Sequence, residues 1–259
     1  MYLIVHQTVR REDVAVSQIT VTGMVLAAMP VGDYDKRLVI LTKEHGKLSA
    51  FAKGARRVNS ALLACSQPFS FGEFTLYAGK NSFTIQHAEI NNYFTELRED
   101  IEAVYYGCYF CEFAEYITRE NNDETQVLKL LYQTLRALAK KTIPFELIRY
   151  IFELKVMSVS GYTPQVFECV HCKRMEGLHR FSVDLGGIVC DQCNTTGKVF
   201  KISESTVYTL QFIIATSIEK LYTFRVSDAV FMELKALTSE YIKIMVEHPF
   251  KSLKMLQSL

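Results

Sequence analysis

The sequence has 259 residues, a length that suits one or two domains. Because 49% of the residues are hydrophobic and 22% are charged, the chain can build a packed core, which excludes a wholly disordered protein. The 29 basic and 28 acidic side chains nearly cancel, which excludes a polybasic or strongly acidic chain. No apolar run approaches the roughly 18 residues that span a bilayer, and MYLIV at the start lacks the length of a signal-peptide core. We expect a soluble cytoplasmic protein without a membrane partner.

The first part of the chain, to about residue 90, has the composition of β-structure. Short segments rich in β-branched and aromatic residues alternate with turns that contain Gly, Asp, Asn or Pro, such as Gly46 and Gly79-Lys80-Asn81. Five strands are predicted: Ile19–Ala28, Arg37–Thr42, Lys47–Gly54, Phe69–Ala78 and Phe83–Ile90. Five strands with a single long connection, Ala55–Gln67, predict a small closed barrel.

After Asn91 the apolar spacing changes from 2 to 3.6 residues, which indicates helices. A first helix, about 95–119, presents one apolar face made of Leu97, Ile101, Val104, Tyr105, Cys108, Cys111 and Phe113. Capping patterns predict four more helices that start near Asp123, Pro144, Ser203 and Ser227. The third of the five is expected to end near Gly161, and the last two to cover about 204–222 and 228–247, before His248-Pro249.

Four of the seven cysteines form two CxxC pairs, Cys169/Cys172 and Cys190/Cys193, with 17 residues between them. This spacing is typical of a four-thiolate zinc site, in which the ion is structural because no coordination position stays open for water. One Zn²⁺ per chain is therefore predicted in a finger of residues 166–201. His171 is a competing ligand, and redox-active or plain buried cysteines are the alternatives.

A third pair, Cys108 and Cys111, lies inside the predicted first helix between aromatic residues. Thioredoxin-type chemistry requires a thiol pKa lowered at the start of a helix, and this pair lacks that position. Buried structural cysteines are the favoured interpretation, and a thiol oxidoreductase is the alternative.

Basic residues concentrate between positions 36 and 57, where Glu44 is the sole acidic residue. The seven candidate DNA contacts are Lys36, Arg37, Lys43, Lys47, Lys53, Arg56 and Arg57. Such a cluster produces a local positive field that attracts phosphates. Nearby aromatics offer stacking platforms for unpaired bases, although period-2 aromatics in a small barrel usually form its core. They are Tyr34, Phe51, Phe69, Phe71, Tyr77 and Phe83.

The sequence shows no phosphate-binding loop, no nucleophile elbow and no HExxH motif, and its six histidines form no metal pair. Asp33 and Asp35 are candidates for a divalent ion, but two acids in a turn more often cap it. We therefore expect no enzymatic activity and no catalytic residues.

The segment PVGDYDKRLVILTKEHGKLSAFAKGARR (Pro30–Arg57), with Ser60 and Gln67-Pro68-Phe69 after it, resembles the N-terminal domain of the bacterial recombination mediator family RecO. FELKVMSVSGYTP (Phe152–Pro164) resembles the helical domain of that family, where it leads into the zinc finger. The similarity runs from about residue 18 to residue 259. Asp33 departs from it, since Glu is common there, and so does Arg37, where an apolar residue is usual.

The resemblance implies an α+β multidomain protein: an N-terminal OB-fold β-barrel and an α-helical domain with an inserted zinc finger of four cysteines. The expected boundaries are 1–90 for the barrel (1–17 a possible extension), 91–165 with 202–259 for the helices, and 166–201 for the finger. It assigns Lys36, Lys47, Lys53, Arg56 and Arg57 to basic motif positions, Gly46 and Gly54 to its glycines, and the four finger cysteines to zinc.

The function that the resemblance implies is DNA repair without catalysis. Members of the family bind single- and double-stranded DNA and anneal complementary strands. They also act with RecR to load the RecA recombinase onto DNA that is coated with single-strand-binding protein. The expected location is the bacterial cytoplasm, in association with the nucleoid. The alternative function is a zinc-containing protein-interaction adaptor with little direct DNA binding.

Overall fold

A computed structural model describes residues 18–79 and 82–256, so the possible extension 1–17 and the turn residues Lys80 and Asn81 lie outside the described residues. The predicted β-rich part folds into five strands: β1 (Gln18–Val31), β2 (Asp35–Thr42), β3 (Gly46–Ala52), β4 (Phe71–Ala78) and β5 (Phe83–Asn92). They close into a barrel in the order β1-β2-β3-β5-β4, with β1 also hydrogen-bonded to β4. The predicted closed barrel is therefore confirmed.

The barrel has the strand arrangement of an OB-fold. Neighbouring strands are antiparallel except β3 and β5, which pair in parallel through Ala50 and Phe83. The 14-residue strand β1 pairs with β4 along its first half and with β2 along its second half. Its pairing with β2 shifts by one residue between Val25 and Ala27, and such a bulge bends a strand so that it can close a barrel.

The two faces of the barrel sheet are both partly buried. Side chains that point inward form a closed apolar cluster that includes Val25, Leu38 and Phe74. On the outside, Met24 and Leu41 belong to the large core that the helices build. Because strand residues alternate between faces, this double burial explains the nearly continuous apolar runs of β1 and β2.

The described residues contain seven helices, of which the first lies between β3 and β4 and the others follow the barrel: α1 (Leu62–Cys65), α2 (Ile101–Ile117), α3 (Thr125–Lys140), α4 (Phe145–Val159), α5 (Glu204–Ala215), α6 (Asp228–Met245) and α7 (Lys251–Leu256). Ser203 and Ser227 cap α5 and α6 by accepting backbone N–H groups, as predicted. The short helices α1 and α7 were not predicted. In the described ranges, no helix is long and apolar enough to cross a membrane.

The first predicted helix differs from the structure at its start and on its buried face. A 3-10 turn, Thr95–Glu99, comes first, and the α-helix begins after Asp100, whose carboxylate accepts from the first-turn N–H groups. Cys111 and Phe113 are buried as predicted, but Ile101 is exposed, and Tyr109 and Phe110, which the predicted face omits, are buried. The predicted face is thus correct in part, because apolar residues surround much of this helix and their spacing does not single out one face.

The cysteine-rich segment contains three short strands, β6 (Arg180–Ser182), β7 (Gly187–Val189) and β8 (Val199–Lys201), in the order β7-β6-β8. Its apolar side chains continue the helical core: the Phe181 ring contacts that of Tyr241 in α6 edge-on, with centroids 6.0 Å apart. The segment is therefore packed against the helices rather than projecting from them.

Candidate nucleic-acid interface and metal centre

Two loops meet at one end of the barrel, and we call them the barrel tip: residues 32–37, around the β1–β2 turn, and residues 53–57, after β3. Three hydrogen bonds join them. The Gly54 N–H donates to Asp35 Oδ1 (2.7 Å), the Arg56 N–H to the Tyr34 carbonyl (2.9 Å), and Arg56 Nη1 to the Gly32 carbonyl (3.0 Å). Asp35 thus stabilises the turn by accepting a hydrogen bond, which agrees with the capping role expected for an acidic residue in this turn. The tip is a preorganised surface.

Four of the seven candidate cations are exposed at this tip: Arg37, Lys53, Arg56 and Arg57. The fifth tip cation, Lys36, is half-buried, and its ammonium donates to the carbonyl and hydroxyl of Ser66 (3.1 and 3.2 Å). Burial lowers the pKa of Lys36, an effect to which the nearby charge of Arg56 adds. Lys36 therefore supports the loop that precedes β4, while the four exposed cations face solvent.

The remaining two cations, Lys43 and Lys47, lie at the opposite end of β2 and β3. Seven residues of extended strand separate Lys36 from Lys43, which corresponds to roughly 23 Å. The Lys47 ammonium donates to the Glu115 carbonyl of α2, and its N–H donates to the Arg119 carbonyl (2.9 Å). The structure thus divides the predicted seven-residue cluster into five cations at the tip and two, the exposed Lys43 and the half-buried Lys47, at the end beside the helices.

The aromatic side chains named from the sequence divide in a similar way. Phe69 is buried, and Phe71 packs on Tyr132 of α3 with centroids 4.7 Å apart. Tyr34 lies at the barrel tip and is 53% exposed, and the Arg57 guanidinium lies over its ring, 4.9 Å from the centroid. Among the six aromatics, Tyr34 is thus the one that belongs to the cationic tip.

The two predicted cysteine pairs come together in space. The four sulfurs of Cys169, Cys172, Cys190 and Cys193 all lie within 4.8 Å of one another, and the Cys172 and Cys190 sulfurs are 3.6 Å apart. Zn–S bonds of about 2.3 Å in a tetrahedron place sulfurs roughly 3.8 Å apart. The four thiols therefore have the geometry of a single metal site.

Backbone groups around these sulfurs favour thiolates. Burial raises the pKa of Cys169, but N–H groups of Cys172, Cys190 and His171 donate to its sulfur and bring that pKa down to about 6. The pKa of Cys190 is also lowered, whereas hydrogen bonds with the sulfurs of Cys172 and Cys190 raise that of Cys193 to about 12. A cation bound by the four sulfurs would replace thiol protons.

The loops that hold the cysteines are fixed by contacts that the sequence analysis did not predict. The Arg180 guanidinium donates to the carbonyls of Cys190 and Cys193 and so holds the second pair. A Cβ at Gly187 would lie 2.6 Å from the Gln165 carbonyl, so this position requires glycine for close approach of two chain segments. The doublet Gly186-Gly187 is visible in the sequence, whereas no local pattern there indicates the role of Arg180.

In the helical pair Cys108 and Cys111, the pKa of each thiol is raised, in contrast to the lowered pKa of Cys169 and Cys190. Burial raises the pKa of both thiols, that of Cys111 well above its usual value, and the charge of Glu112 adds to the effect at Cys108. Thiolate chemistry needs a lowered pKa, so these properties favour the structural interpretation.

Comparison with known proteins agrees with the two parts of this architecture. A family model described as Recombination protein O N terminal matches residues 16–94, and one described as Recombination protein O C terminal matches residues 98–254. The chain belongs to the RecO family. The junction between the two matches falls in the 3-10 turn Thr95–Glu99, where the barrel ends and the helices begin.

Several relatives bear the name DNA repair protein RecO. The one from Alkaliphilus metalliredigens is 35% identical over 240 residues, which cover 92% of this chain and 98% of that protein. The one from Acetivibrio thermocellus is 30% identical over 242 residues, 92% of this chain and 96% of that protein. The Bacillus subtilis relative is 33% identical over 171 residues, 66% of this chain and 67% of that protein. The chain is thus a member of a DNA repair family.

Proposed function

We propose that this RecO-family chain is a DNA-binding recombination mediator that makes and breaks no covalent bonds. The observation that carries the proposal is the barrel tip, where Arg37, Lys53, Arg56 and Arg57 are exposed on two loops that backbone hydrogen bonds hold together. Cations on a rigid surface bind phosphates whatever the base sequence. A mediator that acts on any broken strand requires this kind of recognition.

The finer activity follows from the family resemblance. The chain binds single- and double-stranded DNA, anneals complementary strands, and works with RecR to help load RecA onto strands coated with single-strand-binding protein. Neutralising phosphates brings two polyanionic strands close enough to pair, which gives the tip a direct role in annealing. This activity would take place in the cytoplasm, beside the nucleoid. The barrel (1–90) would hold the strands, and the helical domain (91–165 with 202–259) and finger (166–201) would support it.

The salt dependence of DNA binding tests this function. A fluorescently labelled single-stranded oligonucleotide is titrated with the protein by anisotropy across a series of salt concentrations. We expect the logarithm of the association constant to fall linearly with the logarithm of salt concentration, by about 0.7 for each phosphate contact. A complementary strand is then added to measure annealing. Absence of binding at low salt would contradict the proposal and favour the protein-interaction adaptor.

We further propose that the cysteine cluster holds one structural Zn²⁺ per chain. Four sulfur donors in a tetrahedron suit zinc and leave no position for a substrate. The ion would tie the β6–β8 segment, whose core residue Phe181 is shared with the helices, to the rest of the protein. Structural zinc in small peptides contributes roughly 10–16 kcal/mol of binding free energy.

Metal analysis of matched cysteine variants tests the zinc site. We expect about one zinc per wild-type chain, loss of that zinc in Cys190→Ser, and full retention in Cys111→Ala, because both cysteines are buried but Cys190 alone belongs to the cluster. Thermal unfolding should show a large loss of stability in Cys190→Ser and a small one in Cys111→Ala. A wild-type protein that is folded and free of zinc would refute the assignment.

A further inference from the structure

Tyr34 occupies an unusual position among the exposed aromatic residues of the barrel. Its carbonyl accepts from the Arg56 N–H, and its neighbour Asp35 accepts from the Gly54 N–H, so the turn that carries it is fixed to the second tip loop. The Arg57 guanidinium lies over the ring, 4.9 Å from its centroid. A cation over an aromatic face restrains the ring while the residue stays 53% exposed. The ring is therefore both oriented and accessible.

The surroundings of this ring combine apolar surface with positive charge. Val58, which follows Arg57, is 88% exposed, and Val31, which pairs with Asp35 in the barrel, is also exposed. The Arg57 guanidinium lies over the Tyr34 ring and the Arg56 N–H donates to the Tyr34 carbonyl, so both arginines belong to the same contact between the tip loops. The exposed carboxylate of Asp33, next to Tyr34 in the chain, disfavours a phosphate at that position. Single apolar residues are ordinary on protein surfaces, but here Val31 and Val58 directly flank the two tip loops that carry Tyr34, Arg56 and Arg57.

An unpaired nucleotide has the chemistry that complements this surface. It presents a flat apolar base face beside an anionic phosphate, and stacking of such a base on an aromatic side chain tolerates any base. A duplex keeps its base faces stacked inside and offers phosphates alone on its outer surface. Discrimination between single and double strands therefore requires an accessible ring next to cations, which is the arrangement at the tip.

We infer that Tyr34 is the stacking platform for an unpaired base and that Arg56 and Arg57 bind the phosphates beside that base. This inference rests on the proposed function, because it assigns a subsite to the same DNA-binding surface. It adds a residue that sets specificity: Tyr34 favours single strands over duplexes, whereas the cations act on both.

The absence of tryptophan from the sequence allows a direct test of stacking. The Tyr34→Trp variant carries a single tryptophan at the platform, and Tyr162→Trp carries one in the helical region at a matched position, since Tyr162 is 50% exposed. We expect an oligothymidine strand to quench the fluorescence of Tyr34→Trp and to leave Tyr162→Trp unchanged. A blunt duplex of equal charge should bind both variants and quench neither.

Affinity measurements separate stacking from charge. Tyr34→Ala should weaken binding of the single strand by about 5- to 150-fold and leave duplex affinity and the salt slope unchanged, because no phosphate contact is removed. Tyr34→Phe should bind as the wild type does. If the wild type binds single strands but Tyr34→Ala binds them equally well, or if Tyr34→Trp is not quenched on saturation, the platform is refuted and the proposed function stands. If the wild type binds no oligonucleotide, both proposals fail.

Discussion

At the barrel tip, the side chains of Lys53, Arg56 and Arg57 are exposed, whereas Lys47, at the other end of strand β3, donates to a carbonyl of helix α2. The two ends share the strands β2 and β3, and both have basic residues and positive-φ glycines, Gly32 and Gly54 at the tip and Gly46 at the other end. They differ in what lies beyond them. The tip cations are exposed, and the α2–α3 connection covers the other end, so basic residues stay open to solvent at one end and join two parts of the protein at the other.

Two glycines offer the largest test of this difference. Gly32 and Gly46 both have positive φ, but a Cβ at Gly46 would lie 2.5 Å from the Arg119 carbonyl, whereas a Cβ at Gly32 would meet nothing within 4 Å. We expect Gly46→Ala to lower the free energy of unfolding by about 2–4 kcal/mol, and Gly32→Ala by about 1 kcal/mol from backbone strain alone. Urea denaturation measures both. Equal losses would mean that the helices do not crowd the Gly46 turn.

The tip arginines provide the next largest effect. In Arg56→Ala/Arg57→Ala, loss of two phosphate contacts should reduce the magnitude of the salt slope for single-stranded DNA by up to about 1.4 and weaken binding at low salt. The variant Arg98→Ala/Arg136→Ala removes the same charge from exposed positions outside the barrel and serves as the control. A slope reduced equally in both would show that total charge, rather than the tip, governs binding.

One lysine at each end gives the smallest and most direct comparison. Lys47→Met should leave the Glu115 carbonyl without its donor and lower the free energy of unfolding by about 1 kcal/mol, with no change in salt slope. Lys53→Met should do the reverse: stability is retained, and the slope for single-stranded DNA falls by about 0.7. Anisotropy measures the salt slope and urea denaturation measures the free energy of unfolding of both variants. The comparison fails if the two substitutions change the same one of these two quantities.

The strands, most of the helices and the four-cysteine cluster could be predicted from sequence because their signals are local. Strand alternation, the N-caps Ser203 and Ser227, and the CxxC spacing each depend on residues within a few positions of one another. Helix α7 could not be predicted. Helix α6 ends at Met245, before His248-Pro249 as predicted, but the first N–H groups of α7 donate to the Glu112 carboxylate, about 140 residues earlier in the chain.

The division of the seven cations depended on similar long-range contacts. Nothing in the sequence around Lys36 or Lys47 shows that one ammonium meets Ser66 and the other meets Glu115. The sequence therefore predicts a cluster of basic residues, but which of them stay exposed depends on the helices that pack against one end of the barrel. In the same way, the role of Arg180 in holding the second cysteine pair depends on a contact across the turn between β6 and β7.

On the outer face of β1 and β2, Met24 and Leu41 belong to the same apolar core as the helices. The barrel and the helical segment therefore share a packed interface and are not joined by a linker alone. A nucleic acid strand bound at the tip would therefore move together with the whole protein. A partner that binds the helices could then reposition that strand without contacting it. For the same reason, the barrel expressed without the helical segment would expose this apolar surface to water and would tend to aggregate.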